Sequence, residues 1–333
     1  MKQTSLAPEP PRASMERGGF SQHWKVWMRI GVAITVVIAL AWAIRHAYFE
    51  LREQPLKFSE IDWSKLMLAA GIYLGSMTLS WIFWHRILLA LGQRPRKLKS
   101  LGAFFVSQLG KYVPGKALVV VLRTDLVQDE KVKVAPAAAS VFIETLTWLF
   151  VGAMIASLLL VFQFENFQGL QIAALAMMLV AGFLTWPPVF NRIASKISKA
   201  KTSGVTYSVD FITMATGWAL LTVGWCLNGA SLLMVIESLP GTEVQLGHFP
   251  VVLAAVTLAS VGGFVSLLPG GLGVRELVMI PLLGSEFGTA IAVITVILVR
   301  FVWLTAEFVS SGIIYLVMQL IHEPNLPRTS DDG

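Results

Sequence analysis

Six apolar runs, each long enough to cross the roughly 30 Å hydrocarbon core of a bilayer, constrain this chain more than any other feature. They extend from Val26 to Ala47, Trp63 to Leu91, Ala135 to Phe162, Leu170 to Phe190, Val209 to Ile236 and Thr289 to Leu320. In hydrocarbon each backbone N–H and C=O must find its partner within the segment, so the runs are predicted to be helices. Only 14% of the 333 residues are charged, against roughly 25% in a soluble domain. With no long polar stretch, a globular enzyme carrying a membrane anchor is excluded. The fold class is an all-α polytopic membrane protein. Trp24, Trp27, Trp42, Trp63, Trp84 and Trp186 fall near the run ends, where an interfacial belt places them.

The net charge of +6 does not read as a nucleic-acid face, because the Lys and Arg residues occupy short loops beside apolar runs. Residues 1–22, with Pro8, Pro10, Pro11 and Ser14, are expected to be a disordered cytoplasmic tail. The run from Ile30 to Leu40 is preceded by 29 residues, too many for an ordinary signal-peptide leader. Residues 23–321 form the expected membrane domain and 322–333 a short cytoplasmic tail. The single cysteine, Cys226, lies in an apolar run and is expected to pack.

Two further apolar segments, Leu101 to Leu122 and Phe249 to Leu283, are interrupted by Pro-Gly. Arg94, Arg96, Lys97 and Lys99 mark one basic loop, and Arg192, Lys196, Lys199 and Lys201 another. If both are cytoplasmic, an even number of crossings separates them, and two full runs already supply it. The first broken segment must then enter and leave on one side, as a re-entrant hairpin breaking near Pro114-Gly115. The loop from Glu237 to His248 has acidic residues and no Lys or Arg, so it is expected outside. The second hairpin enters from there and breaks at Pro269-Gly270-Gly271-Leu272-Gly273. The expected topology is six full spans, two half-membrane hairpins, and both termini in the cytoplasm.

The broken segments resemble each other. Phe105-Val106-Ser107 precedes the first break and Phe264-Val265-Ser266 the second. Thirty residues after Pro114 comes Glu144, with Trp148 behind it; thirty-one after Pro269 comes Arg300, with Trp303 behind it. Repeat 1 covers about 63–162 and repeat 2 about 209–320, and loop charge gives them opposite senses. Inverted repeats with discontinuous helices characterise transporter folds whose substrate sits near the midplane. Simple kinks in ordinary spans are the alternative.

Leu109-Gly110-Lys111-Tyr112-Val113-Pro114-Gly115-Lys116, followed by Arg123, resembles the first signature of the lysylphosphatidylglycerol synthase transmembrane-region family. Leu268-Pro269-Gly270-Gly271-Leu272-Gly273-Val274-Arg275-Glu276 resembles its second. The resemblance implies the flippase half of multiple peptide resistance factor proteins, whose relatives are implicated in moving lipid-linked or polyprenyl-phosphate-linked groups. Two departures stand out. Only 13 residues follow Leu320, so lysyl transfer by this chain is not expected, and Glu144 is followed by Thr145 where relatives carry a basic residue.

A charge at the bilayer centre costs roughly 2.5–3.5 kcal/mol on insertion scales, so each needs a partner or a purpose. Lys111, Lys116 and Arg123 flank the first break; Arg275 flanks the second and Arg300 lies mid-helix. With Pro114 and Pro269, which break the helices, and Gly115, Gly270, Gly271 and Gly273, which allow close backbone approach, these cations suit a lipid phosphate. Snorkelling to the interface is the alternative for Lys116 and Arg123. Glu144, Glu276 and Glu307 are the candidate gating or proton-coupling carboxylates. Glu144 and Arg300 hold equivalent places in the two repeats, where a structural ion pair across the interface and a gating role are the two readings, and Glu307 shares a helix face with Arg300. Gly75, Gly217 and Gly224 are read as close-packing positions.

No H-E-x-x-H, Cys/His cluster, G-x-S-x-G or phosphate-binding P-loop occurs. The expectation is therefore a transporter and not an enzyme, with no cofactor and no metal. It would be a translocase, or flippase, for an anionic phospholipid or polyprenyl-phosphate-linked lipid in a bacterial inner membrane, driven by an ion gradient or running downhill. The alternatives are a membrane transferase using Glu144 or Glu276 as base, or a non-catalytic partner of a lipid-modifying synthase. Expected partners are membrane lipids, a separate lipid-modifying or glycosyl-transfer enzyme, and a second copy of the chain.

Overall fold

The computed structural model describes residues 58–112, 117–129, 131–163, 168–186, 188–189, 192, 209–266, 268, 271 and 273–321. The expected first span, Val26 to Ala47, and both tails lie outside them. The described helices are α1 (Trp63–Ala90), α2 (Lys97–Gln108), α3 (Ala117–Val127), α4 (Val134–Gln163), α5 (Gln168–Thr185), α6 (Phe211–Glu237), α7 (Phe249–Val265), α8 (Val274–Phe287) and α9 (Thr289–Ile321). Among the described residues five stretches are long and apolar enough to cross a bilayer, Trp63–Ala90, Val134–Leu160, Phe211–Glu237, Leu246–Val265 and Thr289–Ile321, and the expected span from Leu170 to Phe190 is not one of them. The fourth joins a 3-10 turn to α7 and differs from expectation, since the sequence read this arm as half a hairpin. Among the described residues there is no strand.

α1 and α6 begin alike. Asp62 caps α1, accepting from the Ser64 amide at 3.0 Å and the Lys65 amide at 3.4 Å. Asp210 caps α6, accepting from the Thr213 amide at 3.4 Å. Such carboxylates satisfy amides that a helix start leaves unpaired. The Ser64 hydroxyl beside Asp62, and the Thr213 hydroxyl beside Asp210, hold both carboxyls below the usual range.

The two long helices lie against each other and run antiparallel. At one end the Asp62 amide donates to the Ser238 carbonyl at 2.9 Å, and Lys65 pairs with Glu237 at 3.1 Å. Along the seam, small residues admit large ones. A Cβ on Gly217 would stand 2.0 Å from the Phe83 ring, and one on Gly224 would stand 3.4 Å from Ser76 Oγ.

α2 and α3, at 12 and 11 residues, are each about 17 Å long, too short to cross. They return the chain to the end it left. Lys99 at the start of α2 reaches the Gln128 carbonyl at 2.7 Å and Asp129 at 3.3 Å beyond α3. The Lys133 amide likewise donates to Gln93 Oε1 at 2.8 Å. α7 and α8 close in the same way, with the His248 ring 4.9 Å from that of Phe287. Gly271, at φ +69°, lies against the Gly263 backbone, where a Cβ would come within 2.9 Å of Gly263 Cα. Only glycine fits that approach.

Helix packing falls into corresponding pairs. α2 packs on α9 while α7 packs on α4, and α1 touches α9 where α6 touches α4. Tyr73 of α1 stacks on Trp303 of α9 at 4.6 Å, matched by Trp225 of α6 on Trp148 of α4 at 4.4 Å. The Trp303 indole N–H donates to Ser231 Oγ, which itself donates to the Ala69 carbonyl, joining α9, α6 and α1.

Candidate functional site

Three buried carboxylates organise the centre, each with its own cation. Arg123 on α3 is 1% exposed. Its guanidinium bonds Glu144 of α4 at 2.9 Å and Ser107 at 2.9 Å, and lies 4.3 Å from the Phe104 ring centre and 5.2 Å from that of Trp84. The second pair reverses the signs between matched elements: Glu276 on α8 meets Arg300 on α9 at 2.6 Å. The third anchors the turn before the first break. Glu307 of α9, fully buried, accepts from Lys111 at 2.5 Å, from the Tyr112 hydroxyl at 2.9 Å, and from the Tyr73 hydroxyl.

These pairings correct one expectation. Glu144 does not meet Arg300; each is taken by a partner on the neighbouring short helix. The reason is proximity, since α3 precedes α4 and α8 precedes α9 directly in the chain. Arg123 does not snorkel either, because its head is enclosed by Glu144, Ser107 and aromatic rings. Glu307 and Arg300 share a helix yet take different partners, Lys111 and Glu276. Pro114, Gly115, Lys116, Pro269 and Gly270 lie outside the described residues. Gly271 and Gly273 both adopt positive φ, +69° and +81°, as the break requires.

Arg275 stands apart. Among the described residues no carboxylate pairs with it, and its buried Nε has no hydrogen-bond partner. The side chain fits because Gly263 opposite has none: a Cβ there would sit 2.8 Å from Arg275 Cγ.

Arg275 and Lys111 face a cavity of about 620 Å³ lined by residues of α1 to α4 and α6 to α9. Glu144 and Arg123 also line it, together with Ser76, Ser80, Asn228 and Ser260. Its remaining wall is largely apolar. Val121 of α3 and Phe142 of α4 line it while being 59% and 57% exposed. The cavity thus reaches the outer surface between those two helices.

Sequence reasoning missed Tyr73, Tyr112 and Asn228. Tyr112 was within reach, because it lies inside the Lys111-to-Pro114 signature and its hydroxyl needs a partner when buried. Tyr73 and Asn228 had no such signal beyond being polar in apolar runs.

Comparison with curated proteins gives no match. The family pattern described as the lysylphosphatidylglycerol synthase TM region matches residues 27–309, a stretch containing every described residue of the three ion pairs and the cavity. This multi-pass membrane chain therefore belongs to the lysylphosphatidylglycerol synthase transmembrane-region family.

Proposed function

We propose that this chain is a lipid translocase, carrying an anionic phosphate-bearing lipid headgroup between leaflets through the cavity while the tails stay in the bilayer. One observation carries the reading: Arg275, without a carboxylate partner among the described residues, faces a cavity that opens sideways between α3 and α4. An unpaired guanidinium in an apolar setting is costly and is relieved by an anion, for which phosphate is the bidentate match. The exposed apolar pair Val121 and Phe142 at the cavity mouth supplies a wall along which acyl or prenyl chains pass.

In this reading α2/α3 and α7/α8 are half-membrane hairpins entering from opposite faces, in two repeats of inverted sense. The antiparallel α1 and α6, and the return of each hairpin to its starting end, support it. Both termini would be cytoplasmic in a bacterial inner membrane, as the basic loops suggest. A second copy of the chain and a separate lipid-modifying or glycosyl-transfer enzyme fit as partners. The transferase alternative is less favoured, because Glu144 and Glu276, its candidate bases, are engaged by Arg123 and Arg300.

The test is leaflet exchange in vesicles of labelled anionic phospholipid with the purified full chain reconstituted. The wild-type protein should accelerate exchange without chemical change to the lipid. Arg275→Ala, inserted at an equal level, should abolish it. A covalently altered lipid, or normal exchange by the variant, refutes the proposal.

A further inference from the structure

Hydroxyls inside a membrane protein are ordinarily silenced by their own helix. Thr78 donates to the Leu74 carbonyl, Thr147 to Ile143, Ser157 to Ala153 and Thr222 to Trp218, all within 2.8 Å. Such back-bonding is the inexpensive solution when neither water nor another partner is near. Ser76 and Ser80 on α1 and Ser260 on α7 break this pattern. No described residue hydrogen-bonds to their side chains, and all three are buried and line the cavity.

Asn228 on α6 joins them. It is 7% exposed and faces the same cavity, and its Oδ1 has no partner among the described residues. Gly224, one turn earlier, lies against Ser76 Oγ, so Asn228 and Ser76 belong to one patch. Leaving a buried amide oxygen unsatisfied is strongly disfavoured. A cluster with spare donors and acceptors on three helices of one cavity is arranged for a ligand that brings its own hydroxyls.

The charge in the cavity narrows the ligand further. Among the described residues the only carboxylate lining it, Glu144, is bonded to Arg123 at 2.9 Å. A headgroup ending in an ammonium would find no unpaired acid there. It would also meet Arg275, whereas Lys111 is already neutralised by Glu307.

Resting on the translocase reading above, we infer that the cavity selects lipids whose phosphate is esterified to a neutral polyol, a glycerol or a sugar. It discriminates against aminoacylated, cationic headgroups. Arg275 takes the phosphate, and Asn228 with Ser76, Ser80 and Ser260 takes the polyol hydroxyls. Glycerol on a phospholipid and hexose on a polyprenyl phosphate share this chemistry, so the ligand source is resolved by the arms of one experiment.

That experiment is equilibrium binding to the purified full chain in nanodiscs, by displacement of a fluorescent phosphatidylglycerol. The competitors are phosphatidylglycerol, phosphatidic acid, aminoacyl-phosphatidylglycerol and a polyprenyl-phosphate hexose. One of the two polyol lipids should bind about tenfold tighter than phosphatidic acid, as one or two net hydrogen bonds provide. The aminoacylated lipid should bind more weakly than phosphatidylglycerol. Whichever polyol lipid ranks first names the source.

The paired substitution Ser76→Ala with Asn228→Leu should collapse the ranking to within about twofold, and Ser260→Ala should reduce it in part. Equal binding of phosphatidic acid, or aminoacyl-phosphatidylglycerol binding as tightly as phosphatidylglycerol, overturns the inference on the unmodified protein alone. Leaflet exchange by the same purified protein reconstituted in sealed vesicles reports separately: no exchange with the ranking intact refutes translocation and leaves the selectivity standing.

Discussion

Replacing Glu144 by Gln separates a structural ion pair from a moving gate. In the folded protein the carboxylate lies 2.9 Å from the Arg123 guanidinium, with the residues 6% and 1% exposed. At an effective dielectric constant near 20, charges at that separation attract by about 6 kcal/mol. Desolvating both groups offsets much of this, so the pair adds little over an apolar replacement. Breaking it is another matter. Glu144→Gln leaves the guanidinium held by Ser107 and two aromatic faces, worth about 1–2 kcal/mol, and should cost about 3–5 kcal/mol. Arg123→Met should cost a similar amount. The double variant Arg123→Met with Glu144→Gln should lose about 2–3 kcal/mol less than the sum of the two singles, because neither charge remains to be stranded. Equilibrium unfolding of the purified protein in bicelles measures all four corners of the cycle. The double variant should also keep leaflet exchange, since Arg275 is untouched. Strictly additive losses, with the double variant as damaged as the sum of the singles, would refute the pairing. A rescued fold without exchange would show that the pair acts in transport.

Three further outcomes are expected. Gly217→Ala puts a Cβ 2.0 Å from the buried Phe83 ring, so it should destabilise the α1–α6 seam by about 1–3 kcal/mol in the same unfolding assay. Tyr73→Phe removes one of three donors to the buried Glu307 and should lower stability by about 1–3 kcal/mol, while Tyr73→Ala should lose the Trp303 stacking as well. Asp62 has its carboxyl held below the ordinary range, first by the Ser64 hydroxyl. Its contribution is complete above about pH 4 and disappears as pH falls through the depressed value. An acid titration of stability should therefore steepen there, and Asp62→Asn, which still caps, should flatten it.

Arg123 shows where reading the chain stopped. The sequence placed it beside a break and offered two roles, phosphate binding or snorkelling, and the fold gave it a third. Glu144 and Arg300 fall at matching places in the two repeats, which suggested a bond between them. Each instead pairs with the short helix that precedes it. Glu307 and Arg275 were both flagged, yet only the fold distinguishes the carboxylate held by three donors from the guanidinium with no carboxylate partner among the described residues. The open hydroxyls of Ser76, Ser80 and Ser260 look no different in the sequence from Thr78 or Ser157, which are satisfied by their own helices.

Composition, run length and the two Pro-Gly interruptions by themselves determined an all-helical membrane protein and the positions of four of its long described helices, Trp63–Ala90, Val134–Leu160, Phe211–Glu237 and Thr289–Ile321. That much follows locally, because a chain in hydrocarbon must pair its own backbone and proline stops it from doing so. Which helix faces meet was decided only by tertiary structure. A soluble helix reveals its inner face through amphipathicity, but a helix apolar all round presents similar surfaces to lipid and to protein. The partner of each buried charge, and the guanidinium left facing the cavity, therefore had to come from the packing.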